Sequence, residues 1–209
     1  MSLVLVIDTA AAHCAVAVFQ SDATGGGAAL AERREPMLRG HAERLFPLIE
    51  AALSEARVAV AALDAIAVCT GPGGFTGARI GVAAARGLAL ALGAPAVGVD
   101  WFAALAEDHA EEHGGAVVVA LPAPQGMVHA QRFVDGVARG PVETIAADAV
   151  RAAVGETLLG PQAAERGLAP LARAARRRLR AHAVQRPAPL YLRPPDAAPS
   201  SIAPPVMLA

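Results

Sequence analysis

The sequence predicts an α/β protein built as two related lobes, and three observations carry that prediction. β-Rich runs over residues 3 to 7, 13 to 19 and 28 to 34, separated by short breaks, open the chain as an antiparallel hairpin and a third strand. An apolar run, a glycine turn, an apolar helix and a second apolar run then form one βαβ unit. After Gly114-Gly115 a second set of β-rich runs begins, a weak echo of the first half.

The elements follow in order. The first run ends at Asp8-Thr9, and Gly25-Gly26-Gly27 turns the chain into the third strand. From His41 to about Glu55, Leu45, Phe46, Leu48, Ile49 and Leu53 recur at helical spacing. Pro47 removes one backbone donor and should bend that helix. Residues 65 to 70 read as a buried strand, Thr76 to Leu92 as a helix and Ala96 to Val99 as a strand. The Thr76 helix is apolar nearly all round, so a second layer or another chain should cover it. A helix from Trp101 to His113 ends at Gly114-Gly115 as a C-cap. Strands over 116 to 121, 127 to 134 and 137 to 145 follow, with a turn at Asp135-Gly136, and then shorter helical pieces. These runs divide the chain into a first lobe over 1–113, a smaller second lobe over 114–194 and a proline-rich tail over 195–209, expected to be extended.

Composition excludes several chemistries. All 18 basic residues are arginine, so no lysine serves a Walker-type phosphate loop, a Schiff base or a general base. The chain is 55% hydrophobic residues but only 3% aromatic, so its core must be built by close packing of Ala, Val, Leu and Ile. A formal net charge of -1 gives no overall attraction to nucleic acid or an anionic membrane. Cys14 and Cys69 sit in apolar runs without zinc or redox spacing and read as buried, reduced thiols of a cytoplasmic protein. The N-terminal apolar run is too short for a signal peptide or a membrane span.

The glycine turn, Gly71-Pro72-Gly73-Gly74-Phe75-Thr76-Gly77, admits more than one use. Backbone amides at a helix N-terminus can hold a phosphate or another anion, through Gly71, Gly73, Gly74 and Gly77. The pattern is one residue longer than the dinucleotide fingerprint, although Asp100 follows the second strand. Alternatively, the glycines only let helix and strand approach.

The turn with Ala78-Arg79-Ile80-Gly81, the preceding Asp64-Ala65-Ile66-Ala67-Val68 and the following Arg86-Gly87-Leu88-Ala89-Leu90-Ala91-Leu92-Gly93 resemble the central signature of the TsaB family, also called YeaZ. Val6-Ile7-Asp8-Thr9, His41-Ala42-Glu43-Arg44-Leu45 and Tyr191-Leu192-Arg193 resemble its other landmarks in the same order. The resemblance implies the actin, sugar-kinase and Hsp70 fold class, two lobes each with a mixed sheet flanked by helices. It implies a non-catalytic subunit that binds TsaD, the subunit that transfers threonylcarbamoyl to the tRNA adenosine beside the anticodon, and that works with an ATPase subunit, TsaE. Any tRNA contact would then arise within the complex. It also implies pairing, with TsaD or in a homodimer, through the helices of His41, Leu45 and Ile49 and of Thr76, Ile80, Ala84 and Leu88.

TsaD-like relatives follow the equivalent strand with two metal-binding histidines. The matching positions here are Trp101 and Leu105, neither of which ligates a metal. No metal, no catalytic residue and no required cofactor are therefore expected, with vestigial nucleotide binding left open. Asp8 sits where kinases of this class place a carboxylate near phosphate, but Ala10-Ala11-Ala12 lacks the accompanying Gly and Ser, so a role in the hairpin turn is the expectation. His109-Ala110-Glu111-Glu112-His113 matches H-x-x-E-H of inverted zinc peptidases, yet lies at a helix end and is expected to be solvated. Arg173, Arg176, Arg177, Arg178 and Arg180 read as a solvated helix face or a contact to RNA phosphates. In the second lobe, Pro122-Ala123-Pro124-Gln125 replaces the family's Asp-Ala-Arg stretch. The competing functions are a kinase or ATPase of the same fold, a dinucleotide enzyme and a metallopeptidase. The first lacks a glycine motif after Gly115, and the second would open with its βαβ unit rather than with antiparallel strands.

Overall fold

Strand β1 (Ser2–Asp8) is the centre of a five-stranded sheet of order β3-β2-β1-β4-β5, completed by β2 (His13–Ser21), β3 (Gly27–Pro36), β4 (Ala65–Cys69) and β5 (Ala96–Val99). The computed structural model describes residues 2–21, 27–153, 155–160 and 167–192; Gly25-Gly26, Arg193 and the segment 195–209 lie outside them. The first three strands run antiparallel, and β4 and β5 run parallel to β1. Successive side chains of a strand point to opposite faces. Accordingly, Val4 and Val6 enter one core cluster and Leu5 and Ile7 the other. That double burial is why β1 is apolar at every position from Leu3 to Ile7 rather than alternating.

One face of this sheet is covered by α1 (His41–Ala56) and α2 (Phe75–Leu92), the other by α3 (Trp101–Glu112) and α4 (Ala169–Arg180). Asp100 caps α3, its carboxylate accepting from the Ala103 amide at 2.9 Å. The second sheet has the order β10-β6-β7-β8, from β6 (Ala116–Pro122), β7 (Met127–Val134), β8 (Val137–Ala138) and β10 (Thr157–Leu159), with β9 (Glu143–Ala146) also paired to β7. β10 is parallel to β6 and the other pairs are antiparallel, so both sheets are mixed.

Two features of the second half differ from the sequence reading. The strand expected over 137 to 145 is two short strands, interrupted at Gly140-Pro141, where Gly140 takes φ 115 and Pro141 offers no amide. β10 is only three residues long, too short to show alternation, and its parallel pairing with β6 is a long-range contact invisible to local pattern. The boundary at 113/114 separates the sheets but not the packing. Val4 and Val6, Phe102 and Leu105, Val117 and Val119, and Leu171 belong to one core cluster that runs through both halves.

The arginines of α4 are neither solvated nor turned outward as a group. Arg173 forms a two-bond pair with Asp108, its Nη2 at 2.6 Å. Arg177 reaches Glu107 and Glu111, each at 2.8 Å. Arg178 bonds the Gly98 carbonyl and Glu107, and Arg176 is buried. The expectation of a solvated face is corrected for Arg173, Arg177 and Arg178: their charges form a seam joining α4 to α3. Glu111 of the H-x-x-E-H motif is part of the seam, while the rings of His109 and His113 stack with centroids 5.0 Å apart. Among the described residues no group of three or more His, Cys, Asp or Glu could hold a metal ion.

Both cysteines are free and buried. Burial, then the charges of Glu35 and Asp8, push the Cys14 thiol up to about 11, and burial pushes Cys69 well above its ordinary value. Since the thiolate is the nucleophile, neither should react with iodoacetamide at neutral pH in the folded protein, and both should react in denaturant. Mass spectrometry counting carbamidomethyl groups checks this; rapid native labelling of either would contradict the burial.

Candidate functional site

The glycine turn is joined to the end of β1 by backbone contact. The Thr9 hydroxyl donates to the Gly77 carbonyl at 2.7 Å, and the Gly74 amide donates to the Ala10 carbonyl at 2.6 Å. A Cβ on Gly73 would stand 1.9 Å from the Ala10 oxygen, and one on Gly77 2.0 Å from the Thr9 oxygen. These two positions are glycine because the β1–β2 turn occupies the space of a side chain. The Gly74 amide is thereby engaged within the fold. Gly71, with φ 127, accepts the Trp101 amide at 2.9 Å.

Asp8 is fully buried beside this junction. Its carboxylate accepts from the Ala10 amide and the Trp101 indole, each at 2.9 Å, and lies 3.2 Å from His13 Nε2. Burial alone would raise its pKa, but hydrogen bonding and charge from His13, with the Ala10 and Trp101 bonds, outweigh it and hold the group below the usual carboxylate range. The bond to Ala10 matches the turn role expected for Asp8. The Trp101 bond adds something a residue-type argument does not supply: the indole from the start of α3 bonds the buried carboxylate. Leu105, one turn further along α3, is 4% exposed within the core.

An open groove of about 770 Å³ lies between the starts of α1 and α2, lined in part by Thr9, Ala10, Gly40, His41, Gly74 and Thr76. Neither helix has a side-chain cap at its N-terminus. First-turn amides have no intrahelical acceptor, so any anion or nucleotide at the glycine turn would have to enter here.

The expected pairing residues separate into two groups. His41, Leu45 and Ile49 are 7%, 1% and 3% exposed and face the sheet, because the period that makes them a stripe is the period of the core-facing side of α1. As surface contacts they are corrected: Ala42, Phe46, Pro47 and Glu50 lie outward instead. On α2, Thr76 is exposed, while Ile80, Ala84 and Leu88 are half-buried against the core. The outward stripe is Thr76, Ala83, Gly87 and Leu90, with Leu90 85% exposed. α2 is long and apolar enough to cross a membrane by length and composition, yet only 33% of it is buried in this fold.

At the start of that stripe the Arg79 guanidinium lies 3.7 Å from the centre of the Phe75 ring and donates through Nε to the Tyr191 hydroxyl at 2.6 Å. The Phe75 and Tyr191 rings are 5.1 Å apart, and both are exposed. The chain's final described segment is held there by the Leu190 amide, which donates to the Thr70 carbonyl at 2.8 Å. Phe75 and Tyr191 were each part of a sequence landmark, but nothing local in the sequence brings the two landmarks together.

The antiparallel opening, the mixed sheets and the helices packed on them make this a two-lobed α/β protein of the actin-like class. The family model described as tRNA N6-adenosine threonylcarbamoyltransferase, TsaD, matches residues 35–166. The chain belongs to that family, and within it is a TsaB/YeaZ-like protein. It is 39% identical over 150 residues to an uncharacterized protein of Mycobacterium tuberculosis, covering 71% of this chain and 67% of that one. To the tRNA threonylcarbamoyladenosine biosynthesis protein TsaB of Escherichia coli it is 32% identical over 127 residues, 60% of this chain and 52% of that one. YeaZ from Pseudomonas aeruginosa superposes with a TM-score of 0.69 at 28% identity, covering 92% of this chain and 100% of that one. A second structure from that organism, described as similar to peptidase YEAZ, gives 0.70 at 27% identity over the same shares. The chain spans only 27% of a longer Mycobacterium leprae relative.

Proposed function

We propose that this chain is a non-catalytic, cytoplasmic subunit of the machinery that forms threonylcarbamoyladenosine in tRNA, and that it binds a TsaD-like transferase through the outward stripe of α2. The observation that carries this is α2 itself, an 18-residue apolar helix of which the fold buries only a third. Soluble proteins seldom leave such a face uncovered without a partner. Ala83 and Gly87 let a second helix come close, and Phe46 and Leu90 supply apolar area at the edges. Support for a non-catalytic role comes from Trp101, whose indole is tied to Asp8, and Leu105, which packs in the core, at the positions the resemblance matches to the metal-binding histidines of TsaD-like relatives. A TsaE-like ATPase would join the assembled pair, and tRNA would be met there. A homodimer of the isolated chain would use the same stripe, so the transferase should displace it.

The test is co-purification with a TsaD-like protein, with a double variant Ala83→Glu and Leu90→Glu. Both positions are exposed, so the fold should persist, while two desolvated charges should weaken association by at least about 100-fold. Ala84 is a poorer probe because it packs on the core. Reconstituted modification should require both chains. Retained binding by the double variant would remove the stripe from consideration, and modification by this chain alone would overturn the non-catalytic assignment.

A further inference from the structure

The open face of the second sheet gathers arginines that lie far apart in sequence. Val118, Ala130, Ile145 and Val150 form a small apolar cluster on the side of this sheet away from α3. Above them a pocket of about 260 Å³ is lined by Arg132, Arg139 and Arg151, with Glu143 the one carboxylate in its wall. Arg132 comes from β7, Arg139 follows β8, and Arg151 follows β9.

Two of the three guanidiniums are held in place. Arg132 pairs with Glu156 and donates through Nη2 to the Arg151 carbonyl at 3.1 Å. Arg151 donates through Nη1 to the Val150 carbonyl at 2.8 Å and to the Asp148 carbonyl. Each guanidinium has five N–H donors, so both keep free donors after these bonds. Arg139 has no side-chain partner among the described residues, although its backbone amide is fixed on the Arg132 carbonyl at 2.8 Å. Gln131 completes the rim by donating to the Gly140 carbonyl at 2.9 Å. Three arginines against Glu143 in the wall and Glu156 on Arg132 leave one net positive charge, centred on Arg139, and an apolar floor keeps water from screening that charge fully.

We propose that this pocket is a binding site for a phosphate-class anion, with Arg139 as its principal ligand and Arg132 and Arg151 as a preorganised pair beside it. Planar, forked donors on several sides match the oxygens of a phosphoryl group, as single lysine charges would not. The cavity is small for a drug-sized molecule and suits one phosphoryl group with a short apolar attachment. The same chemistry is offered by a free phosphate ester and by the backbone phosphodiester of RNA. This site is independent of the α2 stripe and of the role proposed for it.

Calorimetric titration of the full chain with inorganic phosphate and with a short single-stranded RNA tests the site, using wild type, Arg139→Ala and Arg139→Lys. Arg139 is exposed and unpaired, so circular dichroism should be unchanged in both variants. Wild type should bind at least one probe, Arg139→Ala should bind it about tenfold or more weakly, and Arg139→Lys should recover part of the loss. RNA that is displaced by phosphate, and whose affinity falls linearly with the logarithm of salt, assigns the phosphodiester as the ligand. Phosphate binding that RNA does not displace assigns a free ester. Binding of neither probe by wild type, or equal binding by wild type and Arg139→Ala, would overturn the site.

Discussion

Gly77→Ala should destabilise the protein by about 3 kcal/mol or more, because its new methyl group would stand 2.0 Å from the Thr9 carbonyl oxygen. The obstacle is backbone on both sides, so no rotamer change relieves it. The α2 start would have to move off the β1–β2 turn, breaking the Thr9 hydroxyl bond to the Gly77 carbonyl. Gly87→Ala provides an internal control: nothing lies within 4 Å of its Cβ, and it sits inside the same helix. Helix propensity alone should make that variant about 0.5 to 1 kcal/mol more stable. Denaturant unfolding of the two variants beside wild type would show midpoints displaced in opposite directions; a Gly77→Ala midpoint equal to wild type would refute the close approach.

Asp8→Asn should cost about 3 kcal/mol at neutral pH, since it removes a fully buried charge that other groups are arranged to bond. The pH dependence has a defined sign. The folded carboxyl titrates below its ordinary value, which in the unfolded chain is about 3.9. Its contribution is therefore complete above the unfolded value and is lost as pH falls through the folded one. The stability gap between wild type and Asp8→Asn should be flat from neutrality to about pH 4 and close below it. A gap that widened on acidification would contradict the depressed pKa.

The elements of the first half were legible because their signals are local. The doubly buried β1, the glycine turn and the helical periods of α1 and α2 each sit within one window of sequence, and their positions agree with the structure within a residue or two. Faces were less legible than elements. Leu45 and Ile49 form the most regular apolar stripe of α1, and regularity marks the side that meets the sheet, so the outward residues had to be found by exposure. The purpose of Gly73 and Gly77 was also hidden, because their neighbours are backbone atoms of Thr9 and Ala10, far away in sequence. The α4 arginines show the same limit. A basic run is evident in one helix, but its carboxylate partners stand on α3, and only tertiary packing brings Asp108 to Arg173 and Glu107 to Arg177.

The core that runs unbroken through both halves, reinforced by the α3–α4 seam, has a mechanical consequence. Domain closure needs an interface that can rotate or slide between two arrangements. Here a hinge rotation would have to tear Phe102 and Leu105 from both sheets at once and separate several arginine–carboxylate pairs. The chain is thus a single stiff body rather than a clamp. A stiff body loses little motional freedom on association, so under the role proposed above the α2 stripe would meet its partner with its geometry already set.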